Sequence, residues 1–355
     1  MLLITPHNNS PHLATVLDGE LVYLRSLSDY HATVWTKWDE GLLFLDQEKR
    51  VLHLARADGS VSVHCWTLPA NLDCDASQTH MATIGNRIFI SGFYVKNKKP
   101  TIFTRSLTDE MTNWSDCYPN SFHWRKHIDA LLIQGQQLIA VDNEVHPKYL
   151  FYINDADKDC TLAEIVELDS HGTYEHIYSA SLCKNYIAII SITECAAGKG
   201  VHLFFINTSS FKQSGALNIY GYHCRPNDIG LVSNEVSNAL LSFTHSSKAL
   251  AACAEYLVVA CGKNGLVIAH PERIVDKNST KREYHGNRQG VVASLLSLHQ
   301  LPLHQLQKRQ LVKGIKAVEF VIGAGELGCI VVVSLVDDTM ESFFVNWALL
   351  NELLP

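Results

Sequence analysis

Residues 80–118 read HMATIGNRIFISGFYVKNKKPTIFTRSLTDEMTNWSDCY, and the punctuation inside this stretch decides the fold. Four apolar or alternating runs, Met81 to Ile84, Ile88 to Val95, Thr101 to Leu107 and Trp114 to Tyr118, are separated by Gly85-Asn86, by Asn97-Lys98-Lys99-Pro100 and by the polar residues 108–113. Gly-Asn between two apolar runs is a two-residue hairpin turn, and the other two breaks are polar turns, so the stretch predicts four short antiparallel strands. Such a unit cannot bury both faces alone. It has to stack on copies of itself.

The copies are present on both sides. Before it stand Ala32 to Trp38, Gly41 to Asp46, Val51 to Ala57 and Ser60 to Leu68. After it stand Ile128 to Gln134, Gln137 to Asp142, Tyr149 to Asn154 and Thr161 to Leu168, then Ile177 to Cys183, Tyr186 to Thr193, Val201 to Thr208 and Ser214 to Tyr220. Several runs are apolar on both alternating faces, as expected of sheets covered on two sides. His31, His80, His127 and His176 each stand immediately before the first run of their unit, at spacings of 49, 47 and 49 residues. Extending that period gives seven starts in 355 residues, the last near Ile315 to Ile322, followed by Cys329 to Val336 and Ser342 to Trp347.

The ends and the gaps are less regular. Residues 1–30 hold two short runs, Leu13 to Val16 and Leu21 to Leu27, around Asp18-Gly19, which suits closure by strands from both chain ends. Tyr256 to Cys261 and Leu266 to His270 form a tight pair. Residues 273–313 depart from the period and are expected to be an insertion; over 273–316 nine Lys or Arg face only Asp276 and Glu283. Its Leu-rich part, Val291 to Leu311, is broken by Pro302 and predicts a strand followed by a short helix.

Composition narrows the function class. A chain that is 47% hydrophobic can bury a large core, and a net charge of −7 argues against a general nucleic-acid coat, although the basic segment 273–316 suits an acidic partner. No apolar run is long enough for a membrane span, and no basic-then-apolar leader opens the sequence. The ten cysteines include no Cys-x-x-Cys pair, so free thiols packed in a reducing cytoplasm are expected, with no thiolate zinc site.

Repeats of about 47 residues with four short strands each resemble β-propeller blades. The resemblance implies an all-β chain forming one domain over 1–355, with seven blades of four antiparallel strands or, alternatively, six. The Trp-Asp repeat is the nearest comparison. There a His entering the first strand belongs to a structural hydrogen-bond network, and His31, His80, His127 and His176 are similar in place. The chain departs from that pattern in lacking Gly before these histidines and Trp-Asp after the third strand. Ser106, Asp109, Thr112 and Trp114 weakly resemble a sialidase-type Asp-box, with Met111 where that turn has Gly.

Candidate chemistry is sparse. Gly323-Ala-Gly325-Glu-Leu-Gly328 matches a dinucleotide fingerprint in letters, but the motif needs a helix next, and Cys329-Ile-Val-Val-Val-Ser-Leu is strand-like. A glycine-rich hairpin is the better reading. The histidine row at blade starts offers a metal site only by convergence around a channel, whereas repetition at blade period favours a structural role. No metal or cofactor is therefore expected.

In a propeller the blade-to-blade loops share a face with the loops between second and third strands. That face gathers Phe122, His123, Trp124, Arg125, Lys126, His146, Tyr174, Tyr220, Tyr222, His223 and Arg225, types that protein interfaces enrich. The sequence thus points to a non-catalytic scaffold that binds protein partners in a cytoplasmic assembly. The alternative is a carbohydrate-active or metal-dependent hydrolase on the same frame.

Overall fold

The computed structural model describes residues 1–39, 41–62, 66–74, 79–109, 113–117, 128–142, 149–154, 173–195, 198–209, 213–218, 250–253, 256–263, 265–269, 298–310 and 314–348. The chain divides into two compact units, one of residues 1–167 with 236–247 and one of 168–235 with 248–355. Every sheet in both is antiparallel, and the described residues form seven sheets.

The first unit holds four of them. β1 (Leu2–His7), β2 (Ser10–Leu17) and β3 (Glu20–Ser26) form the first, and β4 (Ala32–Trp38), β5 (Gly41–Asp46), β6 (Val51–Ala55) and β7 (Trp66–Thr67) the second. The third combines β8 (Leu72–Asp73), β9 (Met81–Ile84), β10 (Arg87–Tyr94), β11 (Pro100–Ser106) and β12 (Ser115–Asp116). β13 (Ile128–Gln134), β14 (Gln137–Asp142) and β15 (Tyr149–Asn154) make the fourth.

Alternation in the middle strands explains how these sheets are held. In β5, Leu42 and Phe44 pack with Leu2, Ile4 and Leu13 of the first sheet, while Leu43 and Leu45 pack with Leu72, Met81, Ile88 and Ile90 of the third. In β10, Phe89 turns the other way, towards Ile128, Leu138 and Ala140 of the fourth. All four β5 side chains and Ile88 and Ile90 are fully buried. A strand apolar on both faces is what a sheet between two sheets requires. Each apolar side chain buried this way stabilises the stack by about 1.5–3 kcal/mol.

The second unit holds the other three. β16 (Thr173–Cys183), β17 (Tyr186–Cys195), β18 (Gly198–Asn207) and β19 (Gln213–Asn218) form one sheet, and β20 (Leu250–Cys253), β21 (Tyr256–Ala260), β22 (Leu266–Ala269) and β23 (Leu298–Leu301) the next. Helix α1 (Leu303–Gln310) leads to the last, β24 (Ile315–Gly323), β25 (Gly328–Leu335) and β26 (Met340–Asn346). Leu266, Ile268 and Leu301 share a core with Val321, Val331, Val333 and Val345, and Leu306 seats α1 against it. The Ser181 hydroxyl accepts a hydrogen bond from the Ala252 amide at 3.1 Å, joining the first of these sheets to the second.

Several expectations are met closely. The two hairpins of 32–55, the three long strands of 81–106, the strand pair of 256–269 and the strand, Pro302 and short helix of 298–310 lie where the sequence places them. The fourth strands of the first two units shrink to the two-residue β7 and β12, that of the last of the four stands at Gln213–Asn218, and the expected strand at 161–168 lies outside the described residues.

Elsewhere the described residues add detail to the expected arrangement. A strand at Leu2–His7 completes the first sheet from the amino end alone, and β24 to β26 pair among themselves, so no sheet among the described residues mixes strands of both chain ends. Asn8 and Asn9 make this possible by taking φ of 49° and 60°, the left-handed pair a tight hairpin needs. The expected insertion is not wholly an appendage: β23 pairs with β22 from Leu266↔Leu301 to Ala269↔Leu298 and completes its sheet. His176 lies within β16, which begins at Thr173, so it does not stand before the first strand of its sheet.

The glycine-rich letters at 323–328 form the expected hairpin, a single 3-10 turn between β24 and β25. Cys74, Cys117, Cys183 and Cys329 are buried thiols outside any disulfide, with burial pushing the Cys74 thiol up to about 12. Cys261, by contrast, is disulfide-bonded, which corrects the expectation of free thiols throughout. Among the described residues no helix is long and apolar enough to cross a membrane.

Candidate functional site

Of the loop residues singled out by the sequence, Phe122, His123, Trp124, Arg125, Lys126, His146, Tyr220, Tyr222, His223 and Arg225 lie outside the described residues. Tyr174 is the second residue of β16, paired with Thr193 of β17. His127 also lies outside the described residues. The described residues of the first three sheets show one sheet end, built as follows.

His31 and His80 both stand immediately before a first strand and use their backbones alike. The His31 carbonyl accepts from the Gln47 amide at 3.1 Å, and the His80 carbonyl from the Ser91 amide at 2.9 Å, each adding one rung to its ladder. The His80 amide also donates to the Ser91 hydroxyl at 2.8 Å. Their side chains differ: that of His80 is buried, while that of His31 is exposed and meets Glu48 at 2.7 Å.

The turn between β5 and β6, Gln47-Glu48-Lys49-Arg50, is tied in two directions. Towards the third sheet, Gln47 Nε2 donates to the Cys74 carbonyl at 2.7 Å, and Arg50 Nη2 donates to the carbonyls of Pro69, at 2.9 Å, and of Leu72. The Arg50 carbonyl accepts from the Leu68 amide at 2.9 Å. One sheet further, Lys98 pairs with Asp73, and the Val95 amide donates to the Asn71 carbonyl at 2.9 Å. These side chains satisfy backbone groups that strands as short as β7 and β8 leave without ladder partners.

Towards the first sheet, the turn encloses a buried polar pair. Asp46 is 1% exposed; its Oδ1 accepts from the Lys49 amide at 3.1 Å and its Oδ2 from Lys49 Nζ at 3.1 Å. His53, diagonal to Asp46 across the β5–β6 hairpin, brings Nε2 to 3.9 Å from the same Oδ2. Its ring stacks on Phe44 at 5.2 Å and meets the edge of Tyr30 at 4.9 Å. Burial holds the His53 imidazole below its ordinary value, partly offset by a hydrogen bond to the Ser62 backbone and by Asp46. The Asp46 hydrogen bond pushes Lys49 upward. Lys49 Nζ also reaches the Asp29 carbonyl at 3.4 Å and stands 5.4 Å over the Tyr30 ring. The pair Asp46 and His53 and the clamps Gln47 and Arg50 were missed at the sequence level; two polar residues at diagonal positions across a tight hairpin are the signal that could have shown the first.

Arg105, another buried cation, lies 5.7 Å over the Trp114 ring and donates to the Ser106 and Asp109 carbonyls at 3.1 and 3.4 Å. The residues resembling an Asp-box are thus held by an arginine and a tryptophan, with Trp114 Nε1 donating to the Thr67 carbonyl at 2.8 Å. Thr112 lies outside the described residues. Among the described residues no group of three or more His, Cys, Asp or Glu is placed to hold a metal ion.

No family model matches the chain. No curated protein matches it either. Solved structures do. Kluyveromyces lactis Hsv2 is similar over 97% of this chain and 94% of its own, at 10% identity and a TM-score of 0.52. A form of KlHsv2 with loop 6CD replaced by a Gly-Ser linker matches at 12% identity and 0.51, over 97% and 89%. A catalytically inactive virginiamycin B lyase from Staphylococcus aureus, solved with quinupristin, matches at 9% identity and 0.50, over 97% and 98%. Similarity at this identity speaks for the fold alone, and the fold is all-β and β-propeller-like.

Proposed function

We propose that the chain is a single seven-bladed propeller that acts as a non-catalytic scaffold, holding protein partners through its loop face in a cytoplasmic assembly. The observation that carries this reading is the cross-tying of one sheet end: Gln47, Arg50 and Lys98 spend their polar groups on neighbouring backbone or on Asp73. Such an end presents rigid, exposed loops, the arrangement that recognition by loops on a fixed frame requires. The described residues His31, Glu48, Lys96 and Lys99 are exposed there. Phe122, His123, Trp124, Arg125, Lys126, His146, Tyr174, Tyr222, His223 and Arg225 are proposed as the partner-binding set, because aromatic and Arg side chains supply most interface hot spots. The basic segment 273–316 is proposed as an accessory contact for an acidic partner. His31, His80, His127 and His176 are proposed as structural. Buried thiols outside any disulfide at four described cysteines support a reducing compartment, and the Cys261 disulfide is the observation that weighs against it.

Affinity capture with the intact tagged chain from its own lysate tests the proposal. Capture of stoichiometric protein partners by the wild type is expected, with loss of capture and an unchanged Tm in Trp124→Ala combined with Arg125→Ala. A wild-type chain that recovers no protein, or a double variant that loses folding and capture together, refutes the assignment.

A further inference from the structure

The buried pair Asp46 and His53 sits where the second sheet's β5–β6 turn meets the connector 27–31 from the first sheet, and one amine links all three. Lys49 Nζ is 3.1 Å from Asp46 Oδ2 and 3.4 Å from the Asp29 carbonyl. With His53 neutral, its Nε2 and the amine of Lys49 both face Asp46 Oδ2, at 3.9 and 3.1 Å, and only the amine is charged and within hydrogen-bond distance.

We propose that Asp46, His53 and Lys49 form an acid-released latch: a proton taken up by His53 makes its imidazolium the partner of Asp46, and Lys49 lets go of the connector 27–31. This inference does not depend on the proposed function. The groups facing His53 favour such an exchange. From β5 come Asp46 and the Phe44 ring; from the turn comes Lys49; from the connector comes the Tyr30 ring; Ser62 supplies backbone. Glu48 is occupied by His31, and Arg50 by the Pro69 and Leu72 carbonyls. The sides contributed by β1 and β4 are apolar, namely Leu2, Ile4 and Ala32. Asp46 is therefore the carboxylate within reach of the new charge, and Lys49 the cation it repels. A proton on His53 stabilises the pairing with Asp46 and displaces the amine, a two-state change biased by a single titration.

The connector and turn carry reporting amides: Tyr30 donates to the Leu27 carbonyl at 2.9 Å, Ala32 to the Tyr30 carbonyl at 2.8 Å, and Lys49 to Asp46. Hydrogen exchange of the full chain, corrected for intrinsic rates, is measured at pH 7.5 and pH 5.0, with the β24–β26 amides as reference. Protection at Tyr30, Ala32 and Lys49 is expected to fall at least about fivefold at pH 5.0 while the reference holds. His53→Gln, which cannot take the proton, is expected to remove the fall. Lys49→Met is expected to be deprotected already at pH 7.5, with no further change at pH 5.0, and it serves the test even where His53→Gln does not fold. Equal protection at both pH values in the wild type, a His53→Gln chain that keeps the fall, or a Lys49→Met chain that behaves as wild type overturns the proposal.

Discussion

Arg50 provides the sharpest test of how the sheet end is held. Its guanidinium makes two hydrogen bonds to carbonyls at and just before the short β8, those of Pro69 and Leu72, and its own backbone sits at φ 56°, in the left-handed region. Two opposed costs follow. Removing the guanidinium takes this donor from both part-buried carbonyls, although that of Pro69 keeps the Leu72 amide at 3.1 Å. A hydrogen bond to a charged group contributes about 1.5–3 kcal/mol, and part-exposed acceptors regain some of that from water, so Arg50→Ala is expected to lose about 2–3 kcal/mol. The left-handed backbone costs any residue with a Cβ about 1–2 kcal/mol, whereas glycine adopts it freely but gains about 0.4–1 kcal/mol of freedom in the unfolded chain. Arg50→Gly is therefore expected to be more stable than Arg50→Ala by about 0.5–1 kcal/mol, although both lack the side chain.

Urea unfolding followed by tryptophan fluorescence suits the measurement, since Trp35, Trp38 and Trp66 all lie in the second sheet or in its core. An unchanged m-value keeps the comparison on stability rather than on the extent of unfolding. A loss below about 0.5 kcal/mol in Arg50→Ala would show that water replaces the clamp. An Arg50→Gly chain equal to or weaker than Arg50→Ala would show that the backbone at this turn relaxes out of the left-handed region, and the reasoning fails with it.

Two further predictions separate backbone from ligand and charge from burial. At Gly328, with φ 148°, an added Cβ would stand 2.1 Å from the Val345 carbonyl oxygen, whereas at Gly325, with φ 65°, nothing lies within 4 Å; Gly328→Ala is expected to cost at least about 3 kcal/mol in a thermal melt and Gly325→Ala about 1 kcal/mol. Equal effects would refute the hairpin account of these glycines. Burial raises the Asp116 carboxyl to about 6, so the native state holds its proton more tightly than the unfolded chain, and stability falls as pH rises from about 4 to about 6. Asp116→Asn keeps an acceptor for the Thr101 hydroxyl, now at 2.9 Å, and is expected to flatten that slope and to stabilise the chain at pH 7 by at most about 1 kcal/mol; an unchanged slope in urea midpoints between pH 4 and pH 7 would sink the assignment.

What the sequence made legible follows from how local each determinant is. The hairpins of β4 to β6 and β9 to β11 are joined by short turns and buried on both faces, so their runs and turn residues lie side by side in the chain. The strand Leu2–His7 was hidden by Pro6 and by a turn of two asparagines with no glycine, although the side chains of Leu2, Leu3 and Ile4 are buried. β23 was legible as a strand but not as the partner of β22, because nothing local to Leu298–Leu301 states which edge it completes. His31 and His80 share a backbone role that any residue could supply, so their regular spacing carried the period and not a side-chain chemistry.

The same contrast separates the sheet faces from the sheet ends, where the proposed function puts recognition. Between sheets, Leu42, Leu43, Phe44 and Leu45 are all fully buried, so a change there alters the packing of two neighbours at once. At the ends, β7, β8 and β12 are two residues long and cannot fix the chain by ladders. Side chains fix it instead, with Arg50 and Gln47 holding 69–74, Lys98 holding Asp73, and Lys49, seated on Asp46, holding the connector at the Asp29 carbonyl. Once such clamps satisfy the backbone, the side chains between them, among them Glu48, Lys96 and Lys99, are exposed and lie outside the core. Their identities can then be set by whatever the end must meet, which is how one stacked frame serves different partners.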